Sequence, residues 1–148
     1  MLYVQPCGGV DGKQQIQNLF NGLSADEQKL FSRVWITVET NPNNGCTLSK
    51  TQTDNCKLVN DMVTQIKAQG KLAGIFSSIF MWKYYVNSDC VSNADGSLAS
   101  WYPHDDKLPN FYDFNDYGVF GPFKTYVDKT LKTYKIDSSL CDISGNVN

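Results

Sequence analysis

The chain has 148 residues, 41% hydrophobic and 19% charged, a balance that suits one globular domain and excludes a disordered chain. Its net charge is −2, and no run of Lys or Arg stands out, so the electrostatic footprint of a nucleic-acid binder is absent. Aromatic residues make up 13%, a richness that suits sugar or peptide recognition and equally suits an ordinary core.

In chain order, "LYVQP" (2–6) opens as a short strand. Asp11 then reads as an N-cap, with Gln14 as the second half of a capping box, and Ile16, Leu19, Phe20 and Leu23 follow at helical spacing. Ser24 and Glu27 repeat the capping-box signal and predict a short helical turn through Leu30 and Phe31. "RVWITVE" (33–39) is β-branched and aromatic, as buried strands are. After the turn chemistry of "TNPNNGC", a long helix is predicted from about Thr51 to Gln69. Val59, Met62, Val63 and Ile66 line its buried face, and Gly70 ends it. "KLAGIFS" is the next strand, "SIFMWKYYV" a short helix, and "NSDCVSNADGS" a loop. "LASWYPH" and "FKTYVD" are predicted as the last strands, with an irregular, aromatic, Gly- and Pro-punctuated stretch between them.

Alternating strands and helices argue for an α/β chain with a mostly parallel sheet of about five strands. A closed eight-stranded barrel typically takes ~250 residues, so the expectation is an open sheet or a partial, irregular TIM-like barrel. The longest apolar run, "LAGIFSSIFMW", is eleven residues with two serines inside, too short to span a bilayer. "MLYVQPCGG" has no basic segment ahead of an apolar one, so no signal peptide is expected in this chain. The five cysteines (7, 46, 56, 90, 141) lack Cys-x-x-Cys spacing, and with one His a structural zinc site is not expected. Disulfides in an oxidising compartment fit better and leave one Cys over, which suggests a piece of a longer secreted protein.

Chemistry in a parallel α/β sheet gathers at the C-terminal ends of the strands. Glu39 ends "RVWITVE", and period-two alternation puts Trp35, Thr37 and Glu39 on one face, Ile36 and Val38 on the other. A carboxyl walled by aromatic rings would have its pKa raised by desolvation and could protonate a glycosidic oxygen. The alternative is a polar residue where a strand meets solvent. In "HDD" (104–106), a metal site competes with solvated surface, and solvated surface is expected. "FYDFNDYGVF" (111–120) is either a carbohydrate platform or a loop packed onto the sheet by its rings.

"LYVQPC", "VWITVE", "KAQGKLAGIFSS", "WYPHDD", "PNFYDFNDYGVFGPFKTY" and "SLCDISGNVN" follow one another in order over nearly the whole chain. Together they resemble the glycoside hydrolase family 25 lysozymes, particularly the protist and nematode branch. The resemblance implies an irregular β/α barrel that hydrolyses the β-1,4 links of peptidoglycan, secreted or held in a lysosome or phagosome. It makes Glu39 the proton donor, where the family's Asp-x-Glu reads Thr37-Val38-Glu39. It places Trp101, Tyr102, His104 and Asp106 along the substrate and Tyr126 near the pocket, with Asn146 at the position of a family aspartate.

The family's first two strand–helix units are missing before Leu2, so residues 1–148 are expected to form one lysozyme-like domain without them. Its paired Cys after "PC" is also missing, which makes Cys7 the expected odd thiol. With its catalytic set incomplete, the chain is expected either to hydrolyse peptidoglycan weakly or not at all. The alternative is a catalytically inactive glycan-binding or interaction protein on the same scaffold. A third expectation is a gene fragment without independent function. A monomer is expected, with no cofactor, no metal, no nucleic acid and no membrane partner.

Overall fold

The computed structural model describes residues 1–41, 45–87, 90–91, 97–124 and 130–135. Its elements in chain order are β1 (Leu2–Val4), α1 (Gly12–Asn21), α2 (Ala25–Lys29), β2 (Arg33–Thr37), α3 (Gln52–Ala68), β3 (Leu72–Phe76), α4 (Ile79–Tyr85), β4 (Ala99–Pro103), a π-helical turn (Phe114–Gly118) and β5 (Leu131–Thr133).

Local sequence signals account for the helix ends. Asp11 caps α1 by accepting from the Gln14 amide at 2.9 Å, but the Gln14 side chain bonds Asn18 instead, so only half of the predicted box forms. At α2 both halves form: Ser24 Oγ accepts from the Glu27 amide, and Glu27 accepts from the Ser24 amide. Val59, Met62, Val63 and Ile66 of α3 are buried as predicted, and Gly70 stops the helix with its amide on the Lys67 carbonyl.

All pairings in the sheet are parallel, in the order β1-β2-β3-β4-β5. Spatial order follows chain order without a reversal, as in a barrel and unlike a doubly wound sheet. The fold is mixed α/β, a five-stranded parallel arc of a β/α barrel. The alternation in the strands separates two cores. Val34, Ile36, Val38, Ala73, Ile75 and Tyr102 face the helices and join Ile16, Met62, Ile66 and Trp82. Trp35, Ala99 and Trp101 form a second cluster on the opposite, concave face, flanked by Phe76 and Leu131. Gly74 is required there, because a Cβ at that position would lie 2.5 Å from the Trp35 ring.

Leu131–Thr133, not foreseen as a strand, pairs with β4. Of the predicted strand "FKTYVD" (123–128), only Phe123 and Lys124 are among the described residues; Phe123 folds back to bridge Phe120 across Gly121-Pro122, and Phe120 packs on Trp82. One expectation is corrected. Cys7 is not the odd thiol: the disulfides are Cys7–Cys46 and Cys56–Cys90. Gly8 makes the first approach possible, since a Cβ there would sit 2.0 Å from the Thr47 carbonyl oxygen. Cys141 lies outside the described residues.

The Cys56–Cys90 bond ties α3 to the segment after α4 across a separation of 34 residues. Replacing both cysteines with serine is expected to cost about 2–4 kcal/mol by freeing the unfolded chain. Thermal unfolding of that variant checks this; an unchanged midpoint would contradict it. Among the described residues, no helix is long and apolar enough to cross a membrane.

Candidate active site

Backbone bonding continues past the strand ends and fixes the segment that bears Glu39. The Val38 amide donates to the Phe76 carbonyl at 2.8 Å, and the buried Ser77 hydroxyl donates to the Val38 carbonyl at 2.7 Å. The Ser77 amide in turn donates to the Trp101 carbonyl at 3.0 Å. Three neighbouring strand ends are thereby held in one register immediately before Glu39.

Glu39 and Thr37 open together into a concave pocket of about 440 Å³, lined also by Tyr3, Gln5, Phe76 and Trp101. Its floor is a set of interlocked rings. Trp101 meets Trp35 edge-on at 5.4 Å and Phe76 edge-on at 5.0 Å, with Tyr3 tilted at 6.2 Å. The Trp101 indole N–H donates to Thr133 Oγ1 at 2.8 Å, so its polar edge is satisfied within the sheet. Glu39 is half-buried, and desolvation pushes its carboxyl above the ordinary glutamate value. No second carboxylate lines the pocket among the described residues. Thr37, at the same-face position before Glu39, makes only a long 3.4 Å contact to the Val4 carbonyl through its hydroxyl.

Of the residues expected at the site, the structure brings Thr37, Glu39 and Trp101 together. Tyr102 lies on the other face of β4, fully buried against the helices, and its hydroxyl donates to Asp113 Oδ1 at 2.9 Å. Asp106 accepts from Lys132 Nζ at 2.6 Å and sits in a separate network. Tyr126 and Asn146 lie outside the described residues. Tyr3, Gln5 and Phe76 are lining residues that the sequence reading passed over. Period-two alternation carried into β1 and to the end of β3 was the signal that could have found them.

The expectation that "HDD" is solvated surface holds for Asp105, which pairs with Lys107, and fails for its neighbours. His104 Nδ1 lies 2.5 Å from Asp113 Oδ2, and Lys132 Nζ reaches both Asp106 and Asp113, at 2.6 and 2.9 Å. His104, Asp106 and Asp113 could offer three ligand atoms to a cation, but the Lys132 ammonium already lies between the two carboxylates. Burial alone would raise Asp113; hydrogen bonds from Lys132, His104 and Tyr102 outweigh it and hold the carboxyl below its usual range. For Asp106, burial is likewise outweighed by Lys132 and the Leu108 amide, and its carboxyl is also lowered. The aromatic loop packs onto the sheet by its rings, Phe111 and Phe114 meeting Tyr102, while Tyr112 is exposed and Tyr117 stacks on His104 at 3.6 Å.

The family model described as Lysozyme-like protein 1 matches residues 1–134. Lysozyme-like protein 1 of Caenorhabditis elegans is 28% identical over 96% of this chain and 46% of its own length. "Probable GH family 25 lysozyme 2" of Dictyostelium discoideum is 22% identical over 99% of this chain and 63% of its own. Counting factor 50 of the same organism is 29% identical over 97% of this chain and 45% of its own. No solved structure gives a significant match. The chain spans about half the length of the curated relatives it matches. On the family match across 1–134, the chain belongs to the lysozyme-like family that carries the description Lysozyme-like protein 1.

Proposed function

We propose that the pocket binds the glycan strands of bacterial peptidoglycan and that Glu39 is the general acid of a slow hydrolysis of their β-1,4 links. The observation that carries this reading is the placement of Glu39, half-buried with a raised carboxyl pKa in an aromatic-walled pocket at the C-terminal edge of the sheet. Protonated Glu39 gives its proton to the glycosidic oxygen as the bond to the anomeric carbon breaks. Water adds to that carbon, and its proton returns to Glu39. Trp101, Phe76 and Tyr3 present ring surface to sugar C–H faces, and the Gln5 amide offers polar contacts to hydroxyl or acetamido groups.

Thr37 cannot ionise, so the developing positive charge at the anomeric carbon lacks an adjacent carboxylate, and turnover is slow for that reason. Tyr102 and Asp106 serve the pocket indirectly, through the Asp113 and Lys132 network that braces β4 against β5. Such a domain acts outside the cell or within a lysosome or phagosome, as a monomer. A second reading, a catalytically inactive glycan binder, is favoured by the pocket's lack of a second carboxylate among the described residues.

Purified bacterial cell walls distinguish the two when release of reducing ends and co-sedimentation are followed together. Release that disappears in Glu39→Gln supports the hydrolase. Co-sedimentation without release establishes the binder, and neither signal sinks both.

A further inference from the structure

Helix α4 carries a pair of aromatic rings that the pocket does not use. Phe80 and Tyr84 are 67% and 65% exposed, and their rings stack with centroids 6.2 Å apart, 11° from parallel. The neighbouring faces of the helix are committed elsewhere. Trp82 and Val86 enter the core, while Met81 and Tyr85 turn toward Thr40, whose hydroxyl lies 2.9 Å from the Tyr85 hydroxyl. Tyr85 also holds Tyr84 upright by an edge contact at 4.8 Å and 89°.

The N-terminal end of α4 is tied to the edge of the sheet where the pocket opens, and its C-terminal end to α3. Its N-cap, Ser78, follows Ser77, which is bonded to the Val38 and Trp101 carbonyls. At its other end, Gln52 of α3 donates to the Lys83 and Tyr84 carbonyls, and Asn55 donates to that of Tyr85. Thr40 joins the two sites: it directly follows Glu39, its carbonyl accepts from Gln5 of the pocket, and its side chain meets Tyr85. The ring pair is therefore linked to the Glu39 pocket through Thr40 and Tyr85.

We propose that Phe80 and Tyr84 form an outer sugar-binding platform, which takes the onward stretch of the same peptidoglycan glycan strand whose scissile link lies at Glu39. This rests on the glycan reading of the pocket. Two parallel, largely exposed rings offer a negative π face to solvent, and the C–H faces of a β-linked sugar complement it. Tyr84 is already held by Tyr85, so stacking a sugar on it loses little side-chain entropy. The platform contributes affinity only to strands long enough to reach it from the pocket.

The test measures binding of uncross-linked peptidoglycan glycan strands of defined length, with the disaccharide unit as the short arm, to the Glu39→Gln chain so that hydrolysis does not interfere. Added Phe80→Ala or Tyr84→Ala is expected to weaken long-strand binding about three- to tenfold per ring. Disaccharide binding should not change. Both side chains are exposed, so an unchanged melting transition in each variant shows that the effect is local. Long-strand affinity that survives the double substitution overturns the platform and leaves the pocket reading standing. Equal loss for both lengths also overturns it. If neither length binds the unsubstituted chain, the pocket reading falls and takes the platform with it. A dimer in sedimentation that the double substitution abolishes, with glycan affinity unchanged, reassigns the face to a second copy of the chain.

Discussion

Thr37→Asp is expected to raise the rate of glycan hydrolysis about 10²–10³-fold, the scale on which one well-placed electrostatic contact acts on a transition state. Position 37 ends β2 and lines the same pocket as Glu39, two residues on, so a carboxylate there would face the developing positive charge. Thr37→Asn is the control, matched in size and polarity but without the charge. Release of reducing ends from cell walls would be compared for the two variants. Equal rates would show that the missing charge is not what limits turnover.

The pH profile supplies an independent check. Glu39 acts in its protonated form, and burial raises its pKa above 4.5, so activity should persist above that pH and fall as pH rises through the raised value. In Thr37→Asp the falling limb should move to higher pH, because a neighbouring carboxylate disfavours ionisation of Glu39. Glu39→Gln should abolish hydrolysis at every pH while leaving glycan binding in place.

Lys132→Met is expected to destabilise the fold by about 3–5 kcal/mol, the usual result of removing one partner from a buried ion pair. The Lys132 side chain is only 2% exposed, and its ammonium serves Asp106, Asp113 and the carbonyls of Leu108 and Asn110. Its removal takes the ammonium from between two adjacent carboxylates and leaves Asp113 only the His104 and Tyr102 contacts and Asp106 the Leu108 amide and the more distant His104. Added Asp113→Asn should recover part of the loss, since the uncompensated charge is then smaller. Denaturant unfolding of the three chains checks this, and a loss below about 1 kcal/mol would mean that the network behaves as exposed surface pairs do.

The pH dependence has a definite sign. Asp106 and Asp113 are held below their unfolded values, so their stabilisation is complete above the unfolded carboxyl pKa of about 3.9. It is lost as pH falls through the lowered folded values. In Lys132→Met the carboxyls lose the partner that lowers them, and stability should depend less on pH below about 4.

Much of the scaffold was legible in the chain because it rests on local rules. Ser24 with Glu27 marks α2, the spacing of Val59, Met62, Val63 and Ile66 marks α3, and "RVWIT" marks β2. The site was legible to the extent that one short stretch carries it, since alternation through "RVWITVE" puts Thr37 and Glu39 on one side, although β2 itself ends at Thr37. β5 was missed because "LKT" is too short to carry a strand pattern of its own, and only its pairing with β4 defines it. The Cys7–Cys46 bond was missed because it depends on how closely the Gly8 backbone approaches Thr47, a contact between distant segments.

By itself the sequence determined the α/β alternation, the helix caps and faces, and the acid just past β2, because each follows from neighbours a few residues apart. The tertiary structure alone decided what surrounds that acid. Tyr3, Gln5, Phe76 and Trp101 come from three other strands or strand ends, and register in a sheet is a long-range property. It also turned His104 and Asp106 from apparent surface residues into members of a network with Asp113 and Lys132. Ion pairing depends on distance in space, and Lys132 lies far along the chain from the carboxylates it serves.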